Sequence, residues 1–285
     1  MAIGVGRRSG SGDLAASASA AVARARRVVR ASLRWVVSLV ILAGLVLAWQ
    51  GLVVFNEIPH WKLPAPWEVA KELWYSKGLL ASHTWITVQE MLLGLLAALA
   101  VGLGLATVIN LSRTLGRVVY PVIIAAETFP IIIMAPLLLI WVGYGMEHKV
   151  IVVALIAFFP VVINTADGLR STDPDLLNLM RTMGANRWQL FTKVQIPNAL
   201  PFIFSGFKLA ATVSVIGAVI GEWVGSSEGL GYLALVSKGK FLFERVYAVT
   251  FLFSLLGMGM FVLVSLLEKA FLPWRNTEKR DAGWE

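Results

Sequence analysis

The chain alternates long apolar runs with polar connections, and six of the runs are long enough to cross a bilayer as helices. A helix rises about 1.5 Å per residue, so about 20 apolar residues cross a hydrocarbon core of about 30 Å. The predicted spans are 33–54, 85–109, 118–142, 150–168, 202–222 and 246–268. The pattern therefore predicts an all-α polytopic membrane protein with about six transmembrane helices.

Residues 169–201 form a long polar and basic interruption between the fourth and fifth predicted spans. Asp173 followed by a proline is typical of a helix start, and Gly184 is typical of a helix end. Asn186 begins a second segment with helical periodicity, which Pro197 is expected to end. The pattern predicts two short helices hinged at Gly184 outside the bilayer. An ordered connection of this length favours a docking site for another protein.

Other segments outside the spans differ in composition. Residues 1–31, rich in Ala, Ser, Gly and Arg, are predicted to form a disordered basic tail, and residues 271–285 a C-terminal tail. The transmembrane domain between them is 32–270. Between the first two spans, a helix is expected to open at Pro66. Its tryptophans stand beside charged residues, which favours a position at the lipid headgroups, with a solvated loop as the alternative.

Composition and charge support the membrane interpretation. Hydrophobic residues make up 58% of the 285, charged residues 15%, and the mean hydropathy is +0.75, which excludes an ordinary water-soluble domain. A net charge of +8 is compatible with nucleic-acid binding. With a cytoplasmic N-terminus, however, 18 of the 25 Lys and Arg residues fall on the inner side. The positive charge is therefore explained by topology, with both termini and residues 169–201 in the cytoplasm.

Small residues recur at every fourth position in two spans and predict close helix packing. They are Gly94, Ala98, Gly102 and Ala106 in the second span, and Gly206, Ala210, Ser214 and Ala218 in the fifth. Prolines at 130, 136 and 160 are expected to kink or break the third and fourth spans, and broken membrane helices are tolerated where they line a cavity.

No catalytic constellation is present in the sequence. The absence of cysteine excludes thiolate sites, and the three His residues form no metal-spaced cluster. Ionisable and polar groups inside the spans are costly in lipid and usually face an interior. The candidates for a substrate path are Glu127, Pro130, Asn164 and Glu222. The alternative for each polar side chain is a structural hydrogen bond between helices.

Residues 169–201 resemble the cytoplasmic coupling loop of bacterial ABC-importer permeases. That signature is Glu-Ala-Ala, three residues, Gly, nine residues, then Ile-x-Leu-Pro. Gly184, Val194, Ile196 and Pro197 keep the spacing, whereas the acidic triplet is replaced by residues 178–180. The stretches LPAPWEV, LPFIFSGFKLA and GEWVGSSEGLGYL extend the resemblance to permeases of nitrate, sulfonate, taurine and thiamine-precursor importers. Within that group, the pattern is most similar to permeases for pyrimidine thiamine precursors or riboflavin.

The resemblance implies a non-enzymatic subunit of the bacterial cytoplasmic membrane with no cofactor of its own. It implies as partners an ATP-binding subunit that uses the ATP, an extracytoplasmic binding protein, membrane lipid and a second copy of the chain, and no nucleic acid. The expected ATPase-coupling residues are Leu177, Met180, Arg181, Gly184, Ala185, Arg187, Trp188, Phe191 and Pro197. Trp188 and Phe191 are expected either to fill a groove of the ATPase or to brace the loop. An ion-driven carrier and a membrane enzyme are the rival classes.

Overall fold

The computed structural model describes residues 36–273, which form eleven α-helices and one π-helical turn without a β-strand. The all-α prediction is confirmed. The predicted tails, residues 1–31 and the chain beyond residue 273, lie outside this range. The helices are α1 Val36–Phe55, α2 Pro66–Tyr75, α3 Lys77–Leu111, α4 Arg113–Glu127, α5 Ile131–Val142, α6 Met146–Arg170, α7 Pro174–Thr182, α8 Arg187–Leu190, α9 Ile196–Trp223, α10 Leu230–Gly239 and α11 Phe243–Phe271.

The described chain separates into two units, with the boundary between Glu68 and Val69. The first unit contains α1, which is apolar and long enough to cross a membrane. The second unit contains four more stretches of that length, and the pair α4 and α5 forms a sixth span if the two are taken together. This number agrees with the six spans predicted from the hydrophobic pattern.

The core of the second unit is built where α6 packs against both α3 and α9. The glycines at these contacts leave no room for a side chain. A Cβ added to Gly102 of α3 would lie 2.7 Å from Cγ1 of Val161, and one added to Gly217 of α9 would lie 2.7 Å from Cα of Val153. Both distances are well inside the usual carbon contact distance, so the helix backbones meet closely, as the stripes of small residues predict.

The third predicted span is broken, as expected from its prolines. Helix α4 ends at Glu127, α5 begins after Pro130, and the two axes are bent by 97°. Pro130 is the N-cap of α5. Helices α5 and α6 continue through Pro136 and Pro160, so Pro130 accounts for the break.

The predicted helix end at Pro197 is wrong. Helix α8, the π-helical turn Phe191–Gln195 and α9 follow one another directly, and Arg187–Trp223 is a single apolar stretch of 37 residues. Pro197 lies in the first turn of α9, immediately after the π turn. Proline has no N–H to donate, and the π turn before it interrupts the α-helical hydrogen-bond pattern at this point, so the chain remains helical through Pro197.

Several helix limits and one whole helix also differ from the sequence expectation. Helix α3 begins at Lys77 and α6 at Met146, several residues before the predicted spans. The hydrophobic pattern predicts no helix between the fifth and sixth spans, but Leu230–Gly239 forms α10, which packs against α9 and α11. The expected helix opening at Pro66 is confirmed as α2.

Candidate coupling elbow and substrate path

Residues 169–201, called the elbow here, begin with the well-capped helix α7. The Asp173 side chain accepts a hydrogen bond from the Asp175 N–H (2.8 Å), as expected of an N-cap. At the other end, Gly184 has a φ of 85°. The Ala185 N–H donates to the Met180 carbonyl (3.0 Å), and the Gly184 N–H donates to Arg181 (2.9 Å). This pair of bonds is a Schellman motif, so Gly184 both ends α7 and turns the chain.

The second part of the elbow starts with a reciprocal cap. The Gln189 N–H donates to Oδ1 of Asn186, and the Asn186 N–H donates to Oε1 of Gln189, both at 2.9 Å. This capping box satisfies two N–H groups that the start of a helix leaves without partners. The two caps fix both sides of the turn at Gly184, so the elbow is a defined helix-Gly-helix element.

The elbow presents one set of apolar side chains outward and packs another inward. Leu179, Met183 and Trp188 are exposed at 56%, 74% and 66%. Phe191 is 5% exposed and belongs to a cluster with Leu169. Trp188 is therefore available to a partner, whereas Phe191 braces the elbow against the membrane helices.

A polar groove of about 630 Å³ lies between the elbow and the end of α3. Its walls include Leu177, Arg181 and Arg187 of the elbow, together with Asn110 and Ser112. Arg181 donates to Asn178 at 2.9 Å, in the position of the missing acidic triplet. Of the other expected coupling residues, Met180 and Ala185 are half-buried and Pro197 is exposed.

The four substrate-path candidates do not form one site. Glu127 and Pro130 are exposed and flank the bend between α4 and α5. Asn164 is half-buried where α6 meets α9, and its Nδ2 donates to the Pro160 carbonyl at 2.8 Å. Glu222 is 1% exposed and lies among polar side chains at the end of α9.

Those side chains form a cluster that the sequence pattern did not bring together, in which Thr87 and Glu222 are buried and His83 is half-buried. Three successive backbone N–H groups at the start of α10 each donate to a side chain of α3 or α9. The donors Gly229, Leu230 and Gly231 bind, in that order, Nδ1 of His83, Oγ1 of Thr87 and the carboxylate of Glu222. The first two distances are 2.9 Å. His83, Thr87 and Glu222 are called the outer clamp below.

Two further charges lie beside the outer clamp. Lys149 of α6 forms an ion pair with Glu90 of α3 and donates to Oγ of Ser226 at 3.3 Å. Glu90 is fully buried, and Lys149 is 6% exposed. A buried charge needs a partner of this kind, because its desolvation is otherwise uncompensated. The sequence signal for this cluster was the position of charged residues within or next to apolar spans. It could not identify their partners, which lie far away in the sequence.

Comparisons with known proteins give one consistent result. Residues 91–273 match the family model described as "Binding-protein-dependent transport system inner membrane component". The formylaminopyrimidine transport permease of Halalkalibacterium halodurans is 36% identical, covering 76% of this chain and 87% of its own. The riboflavin transport system permease of Chloroflexus aurantiacus is also 36% identical, covering 81% and 87%. A putative aliphatic sulfonates transport permease of Bacillus subtilis is 31% identical, covering 85% and 89%.

A similar fold is found among solved structures. An inward-facing structure of the MetNI methionine ABC transporter matches with a TM-score of 0.60 and 20% identity, covering 68% of this chain and 97% of that chain. At this identity the match concerns the arrangement of the helices.

Proposed function

Since the chain belongs to the family of inner membrane components of binding-protein-dependent transport systems, we propose that it imports a vitamin or vitamin precursor, such as riboflavin or a thiamine pyrimidine. It is the multi-pass permease subunit of an ABC importer. In this proposal a separate subunit hydrolyses ATP, an extracytoplasmic binding protein delivers the substrate, and two identical permease chains enclose the path.

The elbow carries the proposed coupling to the ATPase. It has capped helices on both sides of Gly184, which give it a fixed shape, and an exposed apolar and basic surface at Met183, Trp188 and Arg187. Aromatic residues in contact surfaces contribute strongly to binding between proteins. A rigid projection of this kind transmits a displacement of the ATPase to the membrane helices, which then expose the path to one side or the other.

The orientation follows from charge. Cytoplasmic loops of membrane proteins carry an excess of Lys and Arg, and 18 of the 25 such residues fall on the side of the elbow. The proposal therefore has both termini and the elbow in the cytoplasm of a bacterial cell. The start of α10, with the outer clamp, faces outward.

The substrate class rests on relatives named for pyrimidine and riboflavin transport, each 36% identical to this chain. Import of a sulfonate, taurine or nitrate by the same machinery is the alternative, which the 31% identical sulfonate permease supports. The two are separated by isothermal titration of the cognate binding protein with riboflavin, formylaminopyrimidine and taurine. Submicromolar binding of taurine alone would refute the vitamin assignment.

The coupling proposal is tested with Gly184→Val in the complex that is purified with its ATP-binding subunit. A φ of 85° is costly for valine, although no atom lies within 4 Å of the added Cβ. We expect ATP-driven uptake to fall at least tenfold. Gly78→Val is the matched control, since its Cβ also meets nothing and its backbone needs no positive φ. Uptake that continues without any ATPase would instead identify an ion-driven carrier.

A further inference from the structure

The outer clamp binds the first turn of α10 through hydrogen bonds to three successive backbone N–H groups. Both carboxylate oxygens of Glu222 accept hydrogen bonds, one from the Thr87 hydroxyl at 2.5 Å and one from the Gly231 N–H. Thr87 Oγ1 in turn accepts the Leu230 N–H. A carboxylate at the N-terminus of a helix is also stabilised by the helix dipole. The start of α10 is therefore bound to the ends of α3 and α9 by side chains.

The glycines around α10 are explained by the approach of this carboxylate. A Cβ on Gly231 would lie 2.9 Å from Oε2 of Glu222, and a Cβ on Gly229 would collide with the same carboxyl group. Gly229 also has a φ of 103°. The two glycines thus allow Glu222 to reach the backbone directly, which a larger residue at either position would prevent.

Glu222 stands at the far end of the helix that begins in the elbow. The stretch Arg187–Trp223 passes from α8 through the π turn into α9 and contains 37 residues. At about 1.5 Å per residue it is about 55 Å long, enough to reach from one side of a membrane to the other. One continuous helix therefore connects the elbow to the outer clamp.

Packing supports this helix at several levels. Phe191 anchors the π turn in a cluster with Leu169 and Ala199. Further along, Gly206 and Gly217 bring α9 against the backbone of α6. The π turn is thus braced by Phe191, and α9, which continues through Pro201, is held against α6 at Gly206 and Gly217.

We propose that the 187–223 helix carries displacement of the elbow to the outer face, and that Glu222 is the positioning residue that transmits it to α10. The inference rests on the proposed coupling of the elbow to an ATPase. It assigns Glu222 a mechanical link to α10 instead of contact with the substrate. Glu222→Leu breaks the link selectively, because leucine has a similar size but no oxygen to accept a hydrogen bond from the Thr87 hydroxyl or the Gly231 N–H.

The test uses the complex with its ATP-binding subunit and single fluorescent labels. The natural chain has no cysteine, so Asp175→Cys, on an exposed residue of α7 outside the proposed ATPase contact, reports on the elbow alone and Lys238→Cys reports on the exposed end of α10 alone. MgATP with vanadate is added to trap the ATPase. In the native background we expect both labels to change emission. With Glu222→Leu, the elbow label should respond normally and the α10 label at least fivefold less.

Glu228→Leu is the matched control, since it makes the same chemical change on an exposed residue of the same turn. It should leave both responses intact. If Glu222→Leu does not assemble, Thr87→Val removes the hydroxyl that donates to Glu222 and accepts the Leu230 N–H, with little change in shape, and should also weaken the α10 response. An α10 response that survives both clamp variants, or that is lost in Glu228→Leu, overturns the inference. If neither label responds in the native background, the coupling proposal fails and this inference fails with it.

Discussion

Gly217→Ala tests whether the core depends on backbone contact between α6 and α9. The added Cβ would lie 2.7 Å from Cα of Val153 and 3.3 Å from its Cγ2. Carbon atoms pack best at about 3.5–4.0 Å, so the two helices must separate by about 1 Å. The near atom is backbone and cannot rotate away. Overpacking of this kind costs about 1–3 kcal/mol.

The measurement is the thermal unfolding midpoint of the purified protein at a fixed heating rate. For a chain of this size, 1 kcal/mol corresponds to a shift of about 2–4 °C, so we expect the midpoint to fall by about 2–12 °C. The heating rate is fixed because membrane proteins often unfold irreversibly, and the midpoint then depends on it.

Gly104→Ala is the control with the opposite sign. Gly104 also lies inside a helix, α3, but no atom is within 4 Å of its added Cβ. Alanine is the better helix former by about 1 kcal/mol, so this variant should be neutral or slightly more stable. If both variants shift the midpoint equally, helix propensity governs the result, and the close contact at Gly217 carries no special role.

Two further predictions concern the elbow and the buried ion pair. Phe191→Ala should destabilise the protein by about 3–5 kcal/mol, because Phe191 is buried. Trp188→Ala should leave the thermal unfolding midpoint unchanged and weaken binding of the ATP-binding subunit at least tenfold in a pull-down titration, because Trp188 is exposed. Equal effects of the two variants in both measurements would contradict this division of roles. Lys149→Met leaves the buried Glu90 carboxylate without its cation and should lower the free energy of unfolding by about 3–5 kcal/mol. The double variant Lys149→Met, Glu90→Leu should regain part of this stability, because it removes the unpaired charge. A double variant that is less stable than the single one would refute this prediction.

Local signals in the sequence were sufficient for the elbow. The cap at Asp173, the glycine turn at Gly184 and the cap at Asn186 each depend on neighbouring residues, and the structure contains all three. The rule that failed was also local. Pro197 was expected to end a helix, but the π turn before it interrupts the α-helical hydrogen-bond pattern at the proline, and the chain continues as one helix.

The outer clamp could not be predicted from patterns of neighbouring residues. Thr87 and Glu222 are 135 residues apart, and their hydrogen bond exists only because α3 and α9 meet in the fold. The sequence did contain a partial signal, a glutamate at the end of an apolar span followed by two glycines at positions 229 and 231. Glycines that closely follow a buried carboxylate indicate that the backbone approaches it. Without the structure, however, the same residues are equally compatible with a turn that makes no contact with the glutamate.

The bend at Pro130 and the 187–223 helix are different parts of the molecule, and we expect the first to affect substrate passage and the second to affect coupling to the ATPase. Glu127 is exposed on this chain, yet it ends a helix of the broken third span. A carboxylate within a membrane span is costly in lipid, so in the membrane the exposed face of Glu127 requires water or protein. The elbow and the outer clamp lie on a different helix, 187–223, which is continuous. Variants of Glu127 are therefore expected to change which substrate is transported. Variants of the 187–223 helix are expected to change whether ATP hydrolysis drives the transport of that substrate.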